Sequence, residues 1–178
     1  NVGSIGGFAF YGCDALETVT FSGNVGSIGD SAFYGCGALE TVTFSGDVGS
    51  IGDHAFRYCT ALENVTFPGN VDSIGLGAFE NCTALKTLTF SGDVTSIGDY
   101  AFQYCTKLTT IYVPASMSED TIDMIRKALE ISGLSGVKIE RSAPEQPSDP
   151  ATDPSTPSAP STSTTGSAST AVQQLEAA

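Results

Sequence analysis

The sequence predicts a repeat solenoid of about five 23-residue rungs, ended by a short α/β cap and a disordered tail. Three observations predict it. Apolar positions return every 23 residues without an insertion: Val2, Val25, Val48, Val71 and Val94 take that step, as do Phe10, Phe33, Phe56, Phe79 and Phe102. The regular step then gives way, after Pro114, to a segment with helical spacing. From Ser142 the composition collapses into Pro, Ser, Thr and Ala, and six of the eight prolines fall between Pro144 and Pro160.

The unit reads V-x-S-I-G-x-x-A-F-x-x-C-x-x-L-x-x-V-x-F-[SP]-G-[DN]. Its second half, Leu39-Glu40-Thr41-Val42-Thr43-Phe44, has the L-x-x-L-x-L spacing of a leucine-rich repeat, which turns alternate side chains of a strand inward. Val48 to Ile51 reads as a second short extended stretch. Asp53 sits where a helix N-cap belongs, ahead of one predicted helical turn carrying Ala55, Phe56 and Cys59. Gly52 and its equivalents Gly6, Gly29, Gly75 and Gly98 never vary, for which a backbone angle open only to glycine is the expected reason. The Ser-Gly-Asp and Pro-Gly-Asn corners, Ser45 to Asp47 and Pro68 to Asn70, are turn chemistry. One unit cannot bury its own apolar residues, so rungs must stack, at roughly 4.8 Å where strands pair.

Residues 115–141 read as a C-terminal cap over the last open rung. Ser118 is the expected N-cap, with Glu119 and Asp120 in the first turn. Ile122, Ile125 and Leu129 share a helical face, Gly133 ends the helix, and Val137 to Glu140 can add one strand. The expected organisation is therefore a solenoid over 1–114, a capping helix and strand over 115–141, and a disordered linker or tail over 142–178.

Composition excludes several partners. Hydrophobic residues make up 40% of the chain, enough for a core, while the formal charge is −13 and the pI near 4.1. Such a chain repels phosphate backbones and anionic lipid heads, so neither nucleic acid nor a membrane surface is an expected partner. No apolar run reaches the ~18 residues that span a bilayer. Opening at Asn1-Val2-Gly3, inside a repeat, the chain reads as a fragment of something longer, with leader and anchor not in view.

The block Ser96-Ile97-Gly98-Asp99-Tyr100-Ala101-Phe102-Gln103-Tyr104-Cys105-Thr106-Lys107-Leu108, followed by Ile111-Tyr112-Val113-Pro114, resembles the BspA-like leucine-rich-repeat family. The likeness covers 2–114 in five copies. It implies a right-handed superhelix, an extracellular or cell-surface setting, and binding to proteins such as host matrix components or neighbouring cell surfaces. It carries no residue-level binding motif.

The candidate sites follow from the repeat. Cys13, Cys36, Cys59, Cys82 and Cys105 form one inward column of free thiols acting as small apolar fillers. Zinc spacing is absent, the sole His is His54, and the like-pointing Cβ atoms of a stacked column suit disulfides poorly, so no metal and no cofactor is expected. Catalysis needs unlike groups converging on a point, and only departures from the repeat could supply them: Phe8, His54, Arg57, Leu76, Lys86, Lys107 and Tyr112. His54 and Arg57 share one turn without an acid or nucleophile beside them in sequence, and read as an exposed surface turn. No enzyme activity is expected.

The outward strand positions form the candidate ligand face, on the inner parallel sheet: Glu17, Thr18, Thr20, Glu40, Thr41, Thr43, Glu63, Asn64, Thr66, Lys86, Thr87, Thr89, Thr110 and Tyr112. A column of three glutamates there favours partners with basic patches. A plain solvated face accounts for the same residues. T-x-T rows are similar to the ice-binding face of insect antifreeze proteins, but strand preference explains the threonines and charged residues interrupt the rows. Asn64-Val65-Thr66 and Asn81-Cys82-Thr83 match the N-glycosylation sequon. The Gly-Asx corners lack the nonapeptide calcium repeat and serve as turns. The function expected is a monomeric adhesion or recognition module. A spacer without a ligand, or an accessory region of a larger secreted enzyme, are the alternatives.

Overall fold

A computed structural model describes residues 1–141; the expected tail, 142–178, lies outside the described residues. In chain order the elements are β1 (Val2–Ile5), β2 (Thr18–Phe21), β3 (Val25–Ile28), β4 (Thr41–Phe44), β5 (Val48–Ile51), β6 (Asn64–Phe67), β7 (Val71–Ile74), β8 (Thr87–Phe90), β9 (Val94–Ile97), β10 (Thr110–Tyr112), α1 (Glu119–Ile131) and β11 (Lys138–Glu140). Each rung gives one strand to each of two parallel sheets. One sheet runs β1-β3-β5-β7-β9 and the other β11-β10-β8-β6-β4-β2. The register never slips: Val25 pairs with Val48 and Val71 with Val94, each 23 residues on. The chain is thus a β-solenoid of the leucine-rich-repeat kind, as the period predicts.

Two phenylalanine stacks fill the interior. Phe10, Phe33, Phe56, Phe79 and Phe102 lie ring over ring, with centroids 5.0, 5.1, 5.3 and 6.2 Å apart. Phe21, Phe44, Phe67 and Phe90 form the second stack, at 5.1, 5.1 and 5.4 Å. Those spacings are close to the strand separation, because each ring is carried by a rung hydrogen-bonded to the next. Leu39, Leu62 and Leu85 and the cysteine column occupy the same core.

The turn between the sheets is not the predicted helix. His54 and Tyr58 have φ of 56° and 62°, which breaks any helical run. Amides instead alternate between two directions. Ala55, Arg57 and Cys59 donate three residues back, to Gly52, His54 and Phe56, while His54, Phe56 and Tyr58 donate to Leu76, Ala78 and Glu80 of the next rung. This turn resembles a strand in using its neighbour to satisfy half its amides, so it has no helix end for Asp53 to cap. The Asp53 carboxylate reaches across rungs, accepting the Leu76 amide at 2.8 Å, and Asp30 accepts the Asp53 amide at 3.0 Å. The Gly-Asx corners repeat the device: Asn24, Asp47 and Asn70 accept the amides of Asp47, Asn70 and Asp93.

The invariant glycine column also has a different cause from the expected one. Gly52 shows no left-handed φ; a Cβ there would lie 2.5 Å from Asp30 Oδ1 and 2.6 Å from Asp30 N. Close approach of the rungs, set by these inter-rung hydrogen bonds, excludes any side chain.

The cap follows the sequence reading closely. Ser118 accepts the Thr121 amide at 3.2 Å, Glu119 and Asp120 occupy the first turn, and Ile122, Ile125 and Leu129 are buried. Gly133, at φ 76°, closes the helix: Leu134 N donates to Leu129 O and Gly133 N to Glu130 O, a Schellman arrangement. β11 pairs with β10, Ile139 opposite Ile111. Arg141 then ties the cap together, donating to the carbonyls of Ala115 and Met117 and pairing with Glu119.

Candidate binding face and turn edge

The candidate residues come together as columns on the six-stranded sheet. Thr18, Thr41, Asn64, Thr87 and Thr110 are in register, and so are Thr20, Thr43, Thr66, Thr89 and Tyr112. Strands of alternating in-and-out side chains produce this: Val19, Val42, Val65, Leu88 and Ile111 point into the core between them. The Thr87 hydroxyl and Asn64 Oδ1 are 2.6 Å apart, locking two rungs on the exposed side. Glu17, Glu40, Glu63 and Lys86 precede these strands as a third outward row, beside a shallow depression lined by Glu40, Thr41, Ala61, Glu63, Asn64 and Ala84. Lys86 lies 2.8 Å from Glu63, and its hydrogen bond and charge hold that carboxyl below the usual range. Glu17 and Glu40 have no basic partner among the described residues.

One candidate does not fit. Thr89 is 5% exposed, between Thr66 and the larger Tyr112 in the register, and cannot offer its side chain to a ligand as an open strand position would. Its place in the strand pattern is the same as that of Thr43, which is exposed. What differs is its neighbour.

The cysteines are core, as their phase predicts, and they are also donors. The thiols of Cys36, Cys59, Cys82 and Cys105 donate to the carbonyls of Phe10, Phe33, Phe56 and Phe79 at 3.1, 3.2, 3.2 and 3.1 Å. Burial pushes Cys36 up to about 11 and Cys105 up to about 12, and raises Cys59 and Cys82 as well. All five are free thiols. Inert, protonated sulfur suits a packing role rather than a reactive one.

His54 and Arg57 are neither fully exposed nor without an acid. Glu80 supplies it from the next rung, with Oε1 2.9 Å from Arg57 Nη2 and Oε2 3.9 Å from His54 Nδ1, and is itself 7% exposed. The Arg57 guanidinium also lies 5.0 Å from the Tyr58 ring centroid and 5.9 Å from that of Tyr34. Position 80 is position 57 plus one period, so the pairing was legible once same-phase residues of adjacent rungs are taken as neighbours. Reading neighbours along the chain misses it.

The same turn carries a row of aromatic residues, exposed except for the half-buried Tyr34, of which the sequence reading singled out only Phe8. Tyr11 stacks on Tyr34 at 4.8 Å, Tyr34 meets Tyr58 edge-on at 5.5 Å, and Phe8 lies 5.8 Å from Tyr11. Ten turn positions, two per rung, have positive φ. Glycine takes three of them (Gly12, Gly35 and Gly77) and Asn81 another. Phe8, Tyr58, Tyr100 and Tyr104 take four, although a bulky residue there costs about 1 kcal/mol or more.

Comparison with known proteins agrees with the architecture. A profile of the family described as the BspA type leucine rich repeat region matches residues 1–123 in six copies. The crystal structure of a leucine-rich repeat protein from Treponema pallidum (T. pallidum) is similar with a TM-score of 0.56 at 24% identity, over 79% of this chain and 63% of that one. A leucine-rich repeat protein from Bacteroides ovatus superposes with a TM-score of 0.57 at 27% identity, over 78% of this chain and 36% of that one. The chain therefore spans less than two thirds of the length of either structure. No curated protein matches it.

Proposed function

The chain belongs to the BspA-type leucine-rich-repeat family, and from that premise we propose that it is a cell-surface or secreted adhesion module that takes a protein partner on its six-stranded sheet. Leucine-rich-repeat proteins generally mediate protein–protein interaction and are typically non-enzymatic, and the BspA type is typically extracellular. No helix among the described residues is long and apolar enough to cross a membrane.

The observation that carries the reading is the in-register surface of Thr18, Thr41, Thr43 and Asn64, exposed, with Thr20, Thr66, Thr87, Thr110 and Tyr112, half-buried, edged by Glu17 and Glu40 without counter-ions among the described residues. Hydroxyls carried on rigid strands are pre-organised, so a partner pays little to order them. Unpaired carboxylates select a partner with a basic patch and speed its encounter. Lys86, by neutralising Glu63, confines the acidic part of the surface to the first two rungs.

The test is binding of the full chain to immobilised matrix proteins and mucins, beside a variant carrying Glu17→Lys, Glu40→Lys and Glu63→Lys. Saturable, salt-sensitive binding that the variant loses supports the reading. Absence of binding by the wild type across the panel at low salt would sink it and favour a spacer without a ligand.

A further inference from the structure

We infer that the turn edge of the solenoid is a second interaction surface, separate from the six-stranded sheet, built to hold arginine side chains of a basic protein partner. Its residues are Phe8, Tyr11, Tyr34, Tyr58, Tyr100 and Tyr104.

Three independent observations carry this. The first is backbone conformation. Phe8, Tyr58, Tyr100 and Tyr104 sit at φ of 59°, 62°, 57° and 61°, in the two turn columns where the same chain places Gly12, Gly35 and Gly77. The fold accepts glycine there, and none of the four aromatic rings joins the core: Phe8 is 63%, Tyr104 56%, Tyr100 45% and Tyr58 38% exposed. Large apolar side chains kept on the surface against the backbone's own preference point outward for their use.

The second is a model of the contact inside the molecule itself. Arg57 lies with its guanidinium over Tyr58 and Tyr34 and its Nη2 on the Glu80 carboxylate. A planar cation against two aromatic rings, with a carboxylate at its edge, is an arrangement that guanidinium suits better than ammonium. The edge thus already binds one arginine, its own.

The third is charge. Asp30, Asp53 and Asp99 are exposed, and each immediately precedes one of the positive-φ turn positions. One oxygen of Asp30 and of Asp53 accepts a backbone amide of the next rung, which fixes the carboxylate at the edge. Arg57 is spoken for by Glu80, so the edge as a whole is acidic and aromatic, complementary to arginine.

The probe is an oligo-arginine peptide, titrated calorimetrically into the full chain, with oligo-lysine of equal length as the comparison. The wild type is expected to bind oligo-arginine more tightly than oligo-lysine. A variant with Phe8→Gly, Tyr58→Gly, Tyr100→Gly and Tyr104→Gly is expected to bind oligo-arginine about tenfold or more weakly while melting no lower than the wild type. A Tyr11→Leu, Tyr34→Leu variant, altered at ordinary backbone angles, is expected to lose affinity as well. Both aromatic variants keep Glu17 and Glu40, so the affinity they lose belongs to the turn edge and not to the sheet. Equal binding of the two peptides, or undiminished binding by both aromatic variants, overturns the proposal. A glycine variant that melts well below the wild type overturns the argument from backbone strain.

Discussion

The Ser132 hydroxyl accepts the amide of Phe102 at 3.3 Å, taking the place of a rung that is not there. In earlier rungs the equivalent amides of Phe33, Phe56 and Phe79 donate to the carbonyls of Ala55, Ala78 and Ala101. At the last rung the helix end supplies the acceptor instead, and the hydroxyl itself donates to Ala128 O at 2.8 Å. A cap ends a solenoid by satisfying its last donors, as well as by covering its last apolar face.

Removing that hydroxyl should therefore uncap the array. Ser132→Ala leaves a buried amide without its acceptor and is expected to cost about 1–3 kcal/mol. Urea denaturation followed by circular dichroism measures it. An unchanged midpoint would mean that Phe102 N finds another acceptor.

Phe56 stacks between Phe33 and Phe79 and is wholly buried. Phe56→Ala is expected to destabilise by about 3–5 kcal/mol, since flanking rungs held by backbone hydrogen bonds cannot close on the cavity. A loss under half a kilocalorie would be incompatible with the stack.

Two glycines should separate close approach from backbone angle. Gly52→Ala drives a Cβ against Asp30 and is expected to cost about 2–3 kcal/mol, as overpacking of fixed backbone does. Gly12 has φ 66° and nothing within 4 Å of the added Cβ, so Gly12→Ala should cost only the left-handed strain, about 1 kcal/mol. Thermal melts of the two variants give the order, and a larger loss at Gly12 would reverse the assignment.

Glu80→Gln removes the charge that Arg57 and His54 face in a half-buried setting. Part of the attraction is lost to solvent at Arg57, so an effect of about 1 kcal/mol is expected, shrinking with salt. A double-mutant cycle with Arg57→Met isolates the coupling. Additive effects would show that the two residues are neighbours without being partners.

The thiol column sets a direction for alkaline stability. Folding raises Cys36 to about 11 and Cys105 to about 12, so both stay protonated in the fold where an unfolded chain begins to lose its thiol protons, above about pH 8.5. Their contribution is complete below that pH and disappears as pH climbs through the raised values. Unfolding midpoints should fall with rising pH in this window, and a Cys36→Ala, Cys105→Ala variant should fall less steeply. Identical slopes would mean the buried thiols are not what titrates.

The period, the strands and the cap were legible in the residues because a solenoid is almost local. Each rung meets only its neighbours, so a step of 23 residues encodes the register, and the Ser118 and Gly133 signals mark a helix whose ends satisfy themselves. The inward cysteines and the outward threonines follow from the same phase. What the residues alone did not reveal is whatever depends on the distance between rungs. Gly52 is forced by Asp30 of the preceding rung, Asp53 accepts from Leu76 rather than from its own turn, Glu80 lies across from Arg57, and Thr89 is closed off beside Tyr112. Sequence by itself determined that the rungs stack and which side chains face inward, since periodic burial is a property of composition and spacing. Only the tertiary structure decided which side chains meet between rungs, because hydrogen bonds and overlap are settled over ångströms that a repeat length does not specify.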